Sequence, residues 1–341
     1  MESTKKLISI LVPCYNEEEN VRPLCEAVRE AMGKCGGDYD YEHIFIDNAS
    51  TDRTVAVLKE IAAQDKRVKI IVNARNFGVY RSPLHGLFQT RGDAIISMCA
   101  DFQDPPELIP EFVKKWEEGY KIVAAVKSGS KESWLMFTVR KAFYRLMCYL
   151  ADTELIKDFT GYGLYERCVI DLVLSCGDHY PYFRGLVSEM GYPIARIEYV
   201  RPTRRHGLTK NRFYDLYVQG MNGIVNHSKL PLRLATFVGF FVALISLLGA
   251  AAYFVYKLMY WSSFSVGVAP LVIGLFFFSS VQLIFLGILG EYVGAIHQRI
   301  FQKWLVIEKE RVNFDQPVTS DHPVNNPITA PGDCRPSGPS V

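Results

Sequence analysis

Runs of consecutive apolar, largely β-branched residues recur through the first part of the chain, and between them the apolar positions fall at helical spacing. ISILVP starts at Ile8, EHIFID at Glu42, VKIIVN at Val68, DAIISMCA at Asp93 and YKIVAAV at Tyr120. The acidic amphipathic segment ending near Met32, TDRTVAVLKEIAAQ, the stretch around PLHGLFQT, and PELIPEFVKKWEEG separate them. Strands that are apolar throughout are buried on both faces, and connections long enough for a helix allow neighbouring strands to run parallel. The pattern predicts an α/β fold with a mixed, mostly parallel sheet flanked by helices. Ligands of such sheets bind beyond the carboxyl ends of the strands. The polar clusters PCYNEEE, DNASTD, NARNFG and CADFQD stand there, after the first four strands.

Beyond residue 127 the pattern is less regular. SWLMFTVRKAFYRLMCYL and RFYDLYVQGMNGIVNH mix aromatic with basic residues, the composition of helices lying at a bilayer surface or of ordinary amphipathic core helices. Leu234 to Tyr256 and Val268 to Leu289 then carry no charge, and each has roughly the 20 residues that cross a bilayer as helix. A two-helix transmembrane hairpin is expected, with a pair of buried helices as the alternative. Lys210, Arg212, Lys229 and Arg233 precede the first span, Arg299, Lys303, Lys309 and Arg311 follow the second, and only Lys257 stands between them. The positive-inside rule puts both long flanks in the cytoplasm, as in a multi-pass protein of the plasma (inner) membrane.

The expected organisation is a cytoplasmic catalytic domain over 1–230 whose interfacial helices occupy about 127–230, a membrane hairpin over 231–290, an interfacial helix over 291–311 carrying FQKW, and a Pro-, Asn- and Ser-rich disordered tail over 312–341. The N-terminal apolar run is short and leads directly into acids, so Leu7 to Pro13 reads as a buried strand and not as a signal peptide.

Composition narrows the chemistry. A net charge of +2, from 38 basic and 36 acidic residues, gives no electrostatic footprint for nucleic acid. Eight cysteines without a C-x-x-C pair fit reduced thiols in the cytoplasm. Asp101, Gln103 and Asp104 in CADFQDPPEL offer hard oxygen ligands of the kind Mg²⁺ or Mn²⁺ takes together with phosphate oxygens, although acids at a strand end also serve as caps and turns. RPTRRHGLTKN gathers Arg201, Arg204, Arg205, His206 and Lys210 shortly before the first apolar helix, suited to a diphosphate, a lipid phosphate or an anionic bilayer surface.

VPCYNEEENV, FIDNASTDRT, RNFG, RGDAIISMCADFQDPPELI, FRGL and RPTRRHGLTK, in this order and followed by two apolar segments, resemble glycosyltransferase family 2. More narrowly they are similar to its polyprenyl-phosphate glycosyltransferases, a group that includes bactoprenol glucosyltransferases and dolichol-phosphate mannose synthases. The resemblance implies a GT-A (Rossmann-like) fold, a nucleotide-sugar donor, Mg²⁺ or Mn²⁺, inversion at the anomeric carbon, a polyprenyl-phosphate acceptor in the bilayer and a homo-oligomer, a tetramer. By the same resemblance Pro13, Tyr15, Glu17, Asp47 and Arg75 bind the nucleotide, and Asp101 and Gln103 hold the metal. It assigns Asp104 to orienting the loop or the sugar, and Arg140, Lys141, Arg201, Arg204 and Lys210 to the diphosphate or the lipid phosphate. Asp158, in IKDFTGYGLYE, is the family's candidate base or positioning acid.

Two positions depart from the family pattern. D-A-D reads Cys99-Ala100-Asp101, which removes one carboxylate, and D-D-G-S reads Asp47-Asn48-Ala49-Ser50. Cys99 is expected to be a small buried residue. The expected function is transfer of one sugar, with UDP-glucose as lead donor, to undecaprenyl or another polyprenyl phosphate. GDP-mannose or a UDP-aminosugar is the alternative donor, and a catalytically inactive nucleotide-sugar or lipid-binding scaffold is the alternative role.

Overall fold

The computed structural model describes residues 5–36, 39–129, 156, 158–177, 183–202, 230–259, 268–300 and 306–314. The chain divides into two compact units. In the first, the described strands are β1 (Lys6–Cys14), β2 (Tyr39–Asp47), β3 (Val68–Asn73), β4 (Ala94–Ser97), β5 (Ile122–Gly129), β6 (Phe159–Glu166), β7 (Ile194–Val200) and β8 (Glu308–Val312). The described helices are α1 (Val21–Gly33), α2 (Thr54–Gln64), α3 (Gly78–Gln89), α4 (Ile109–Glu117), α5 (Arg167–Ser175) and α6 (Phe183–Glu189).

The strands form one sheet in the order β7-β5-β6-β4-β1-β2-β3-β8. β1, β2, β3 and β4 pair parallel, as do β5 and β7, while β6 runs against both β4 and β5. The sheet is therefore mixed and mostly parallel, as the apolar runs imply. Its two faces bury separate clusters. Ile8, Ile10, Phe45, Ile70 and Ile96 face α1, α2 and α4 on one side, and Leu11, Ile44, Ile46, Ile71 and Ile95 face α3 and α5 on the other. Close approach is built in at Gly86 of α3, where an added Cβ would sit 2.6 Å from Leu11.

Two parts of the sheet depart from expectation. Residues 158–200, read as the less regular region with interfacial helices, supply β6 and β7. In IARIEYV every second residue is buried, Ala195, Ile197 and Tyr199, as suits a strand at the sheet's edge with one face on the core. The helix expected to run to residue 311 is corrected over its last residues, because Glu308–Val312 is a strand pairing antiparallel with β3. Polar side chains hold it there: Lys59 donates to Glu310 at 2.7 Å, and Asn313, just past the strand, donates to the carbonyls of Ala62 and Val68, both at 2.8 Å.

In the second unit, α7 (Leu230–Met259) and α8 (Val268–Ile300) are helices of 30 and 33 residues that contain the two uncharged segments. Among the described residues one window, Phe277–Gly294, is long and apolar enough to cross a membrane, and none of it is buried. Phe237, Phe240, Ile245, Leu248, Leu275 and Leu283 are exposed along these helices. Gly239 of α7 lies against Phe285 of α8, a small-residue contact of the kind that lets apolar helices approach closely.

Candidate functional site

The carboxyl ends of β1 to β4 carry the four polar clusters, and the antiparallel β6 brings its first residues to the same edge. Four of the five described non-glycine residues with positive φ lie in these loops: Asn16 (54°), Ala49 (63°), Phe102 (60°) and Asp158 (55°). Left-handed backbone at non-glycine residues costs of order 1 kcal/mol each and persists where surrounding contacts hold it.

The first two loops are knit together. Asp47 ends β2, is fully buried, and accepts the Ser50 N–H at 2.9 Å as well as the Ser50 hydroxyl. Burial pushes its carboxyl up, against the lowering effect of the Ser50 bonds. Ser50 Oγ also accepts the Asn16 N–H at 2.8 Å, and Asn16 Oδ1 accepts the Thr51 N–H at 2.7 Å. Glu17, 7% exposed, accepts from Asn20 Nδ2 at 2.6 Å, and its own N–H donates to Thr54 Oγ1 at 2.8 Å. Pro13 and Tyr15 are half-buried beside them. Of the expected nucleotide-binding residues, Pro13, Tyr15, Glu17 and Asp47 thus share one corner of the sheet.

A hub of amides, not expected from the sequence, fixes the third loop. Asn48 Oδ1 accepts from Asn73 Nδ2 at 3.1 Å and from the Phe77 N–H at 2.8 Å, while Asn48 Nδ2 donates to Asn76 Oδ1 at 2.9 Å. Asn73 Nδ2 also donates to Ser82 Oγ at 2.9 Å, which ties β3 to α3. Arg75 is exposed and lies with its guanidinium 4.2 Å from the centre of the Phe77 ring. The sequence signal is Asn48 in DNAS and Asn73 and Asn76 in NARNF, asparagines that follow or end adjacent strands.

After β4, Asp101 and Gln103 are partly exposed, and Asp101 Oδ1 accepts the Gln103 N–H at 3.2 Å. Asp104 is only 2% exposed and accepts the Cys99 N–H at 2.9 Å. Burial raises its pKa. Cys99, expected to be buried, is exposed, although its neighbours Met98 and Ala100 are buried. The Asp104 carboxylate holds its thiol well above the usual range, so it stays protonated near neutral pH. A neutral thiol is no ligand for a hard cation. Among the described residues no group of three His, Cys, Asp or Glu side chains is gathered as for a metal.

Asp158 is exposed just ahead of β6, and its carbonyl accepts the Lys127 N–H at 3.2 Å. Arg201 follows β7, with its Nε buried and without a hydrogen-bond partner. Arg140, Lys141, Arg204, Arg205, His206 and Lys210 lie outside the described residues.

Residues 9–169 match glycosyl transferase family 2. An uncharacterised glycosyltransferase of Bacillus subtilis, YkcC, is 35% identical over 90% of this chain and 97% of its own length. The SfII prophage-derived bactoprenol glucosyl transferase of Shigella flexneri is 31% identical over 90% of this chain and 99% of its own. The bactoprenol glucosyl transferase of Shigella phage SfV is 32% identical over 85% and 94%. Among solved structures, glucosyl-3-phosphoglycerate synthase of Mycobacterium tuberculosis superposes with a TM-score of 0.43 at 18% identity, covering 64% of this chain and 78% of that one. With a sheet of this topology and relatives aligned along nearly its whole length, the chain belongs to glycosyl transferase family 2 and is a sugar-transferring enzyme.

Proposed function

We propose that the enzyme transfers a single sugar, with UDP-glucose as lead donor, to undecaprenyl phosphate or a related polyprenyl phosphate, with inversion at the anomeric carbon. The observation that carries this reading is the extent of the similarity to bactoprenol glucosyl transferases. At 90% of this chain and 99% of the relative, the alignment takes in the long apolar helices as well as the catalytic sheet. An enzyme whose acceptor is a polyprenyl chain needs an anchor in the bilayer, and confinement of both to one interface supplies much of the proximity that catalysis requires. On this reading α7 and α8 cross the plasma membrane, the basic flanks keep the catalytic unit in the cytoplasm, and the chains assemble as a homotetramer.

Pro13, Tyr15, Glu17, Asp47 and Arg75 hold the nucleotide. Asp101 and Gln103 fit a Mg²⁺ or Mn²⁺ ion, because one carboxylate and one carboxamide beyond a strand end leave positions for diphosphate oxygens and water. The ion supplies charge neutralisation of the departing nucleoside diphosphate. Arg201, with Arg140, Lys141, Arg204 and Lys210, binds the diphosphate and the lipid phosphate through charge-assisted hydrogen bonds. A lipid phosphate oxygen forms the new bond to the anomeric carbon as the bond to the diphosphate oxygen breaks. That oxygen is already anionic near neutral pH, so Asp158 positions sugar or acceptor and is not needed as a base.

Calorimetry of the purified full-length enzyme with UDP, GDP and their sugar conjugates, with Mn²⁺ and with EDTA, tests the donor side. Metal-strengthened binding of UDP and UDP-glucose is expected. Preference for GDP would replace the lead donor with GDP-mannose.

A further inference from the structure

The loop that carries Asp101 and Gln103 has a left-handed phenylalanine at its centre, Phe102, with its ring buried at 5% exposure. Something must over-determine that conformation. Behind the loop stand two tyrosines from the half of the sheet whose regularity the sequence hid. The Tyr162 hydroxyl, on β6, donates to the carbonyl of Pro105. The Tyr199 hydroxyl, on β7, makes a long hydrogen bond of 3.4 Å to Asp104 Oδ1, whose other oxygen accepts the Cys99 N–H. Tyr162 is 1% and Tyr199 6% exposed. Their rings meet edge to face at 5.9 Å, and Tyr162 meets Phe112 of α4 in the same way at 5.0 Å. Two hydroxyls on one aromatic stack therefore hold two consecutive residues of the loop, immediately after Gln103.

We infer that Tyr162 and Tyr199 are positioning residues for sugar transfer, which act through Asp104 and Pro105 to set where Asp101 and Gln103 present their oxygens. Both hydroxyls are engaged by the loop itself. Their hydroxyls fix one end of a loop whose other end is fixed by β4. Arg201 lies two residues after Tyr199, so the same strand sets the position of a phosphate-binding cation and that of the loop. The inference rests on the proposed metal-holding role of Asp101 and Gln103.

The test uses the full-length enzyme in bilayer nanodiscs and the variants Tyr162→Phe and Tyr199→Phe, which keep the rings and remove only the hydroxyls. Free Mn²⁺ is followed by electron paramagnetic resonance in the presence of UDP, and UDP affinity is measured separately in EDTA. Loss of one hydrogen bond predicts a Mn²⁺ dissociation constant raised about five- to ten-fold in Tyr162→Phe, and less in Tyr199→Phe, whose bond is longer. Metal-free UDP affinity should stay within about two-fold. Combination of Tyr162→Phe with Gln103→Ala should lower kcat/KM by less than the product of the single effects, since both act on one loop. Mn²⁺ affinity and kcat/KM at wild-type level with a lowered Tm would mean that the hydroxyls serve stability alone, and would overturn the inference. Equal Mn²⁺ binding by wild type and Asp101→Ala would instead sink the metal assignment. The kcat/KM cycle then decides by itself, and multiplicative effects count against positioning.

Discussion

Asn48 shows how one side chain can hold together loops that are far apart in sequence. Its carboxamide oxygen takes two donors and its nitrogen reaches Asn76, so Asn48→Ala leaves the Phe77 N–H and the Asn73 amide without that acceptor. Stability should fall by about 2 kcal/mol, measured as a lower unfolding midpoint, and UDP binding should weaken with it under the proposed nucleotide-binding role of this corner. An unchanged midpoint would show that water replaces the amide freely. Cys99 allows the opposite experiment. Because it is exposed, Cys99→Asp adds a carboxylate without emptying the core, and Mn²⁺ affinity should rise several-fold in a titration against the wild type. Lower affinity would mean that repulsion from Asp101 and Asp104 outweighs the added ligand. At this scale the acids were legible, because carboxylates after apolar runs announce themselves. The amide hub and the tyrosine pair were not, since each partner is meaningful only once strands distant in sequence lie side by side.

Two strands carry the predictions at the level of elements. Gly163 of β6 lies so close to β5 that an added Cβ would fall 2.1 Å from the Val123 carbonyl oxygen. Gly163→Ala therefore has to break the pairing, and a loss of about 3 kcal/mol or failure to fold is expected. Normal expression and an unaltered Tm would contradict that placement of β6. β8 closes the other edge of the sheet. Glu308, 5% exposed in its side chain, bonds His85 at 2.5 Å and Arg311. Burial alone would raise its pKa, but the hydrogen bonds from His85 and Arg311 prevail and bring it down to about 2. A carboxylate depressed in the folded state stabilises at pH values above its unfolded pKa and loses that contribution as pH falls through the folded one. Docking of β8 should therefore weaken between about pH 4.5 and pH 2, visible as lower amide protection factors, exchange being taken relative to its intrinsic rate at each pH, in residues 306–314. In Glu308→Gln protection should already be lower at neutral pH and vary little over that window. Equal exchange in both proteins at every pH would show that the ion pair contributes nothing. β8 was not legible in the sequence because EKERV is short and charged, and its pairing exists only against the edge of β3.

For the molecule as a whole, the periodicities carried far. Continuous apolar runs fixed the parallel half of the sheet and the edge at which the polar clusters meet. The two uncharged segments lie within helices of 30 and 33 residues. What sequence pattern did not reveal is that the chain returns after α8 to cap the sheet that it began, so the segment ending at 314 belongs to the catalytic unit. Deletion of residues 306–341 should expose the β3 edge and leave an aggregation-prone protein, whereas deletion of 315–341 alone should keep activity. Size-exclusion profiles and turnover of the two truncations separate these outcomes.

The acceptor distinguishes this enzyme's proposed reaction from every other sugar transfer the fold could support. Full-length enzyme in bilayers is supplied with radiolabelled UDP-glucose and Mn²⁺, with and without undecaprenyl phosphate, and the organic phase is assayed for glucosylated lipid. An acid-labile glucosyl-phospholipid that requires undecaprenyl phosphate and is lost in Asp101→Ala is expected. Turnover that is indifferent to the lipid, with label entering water-soluble or protein-bound product, would contradict it.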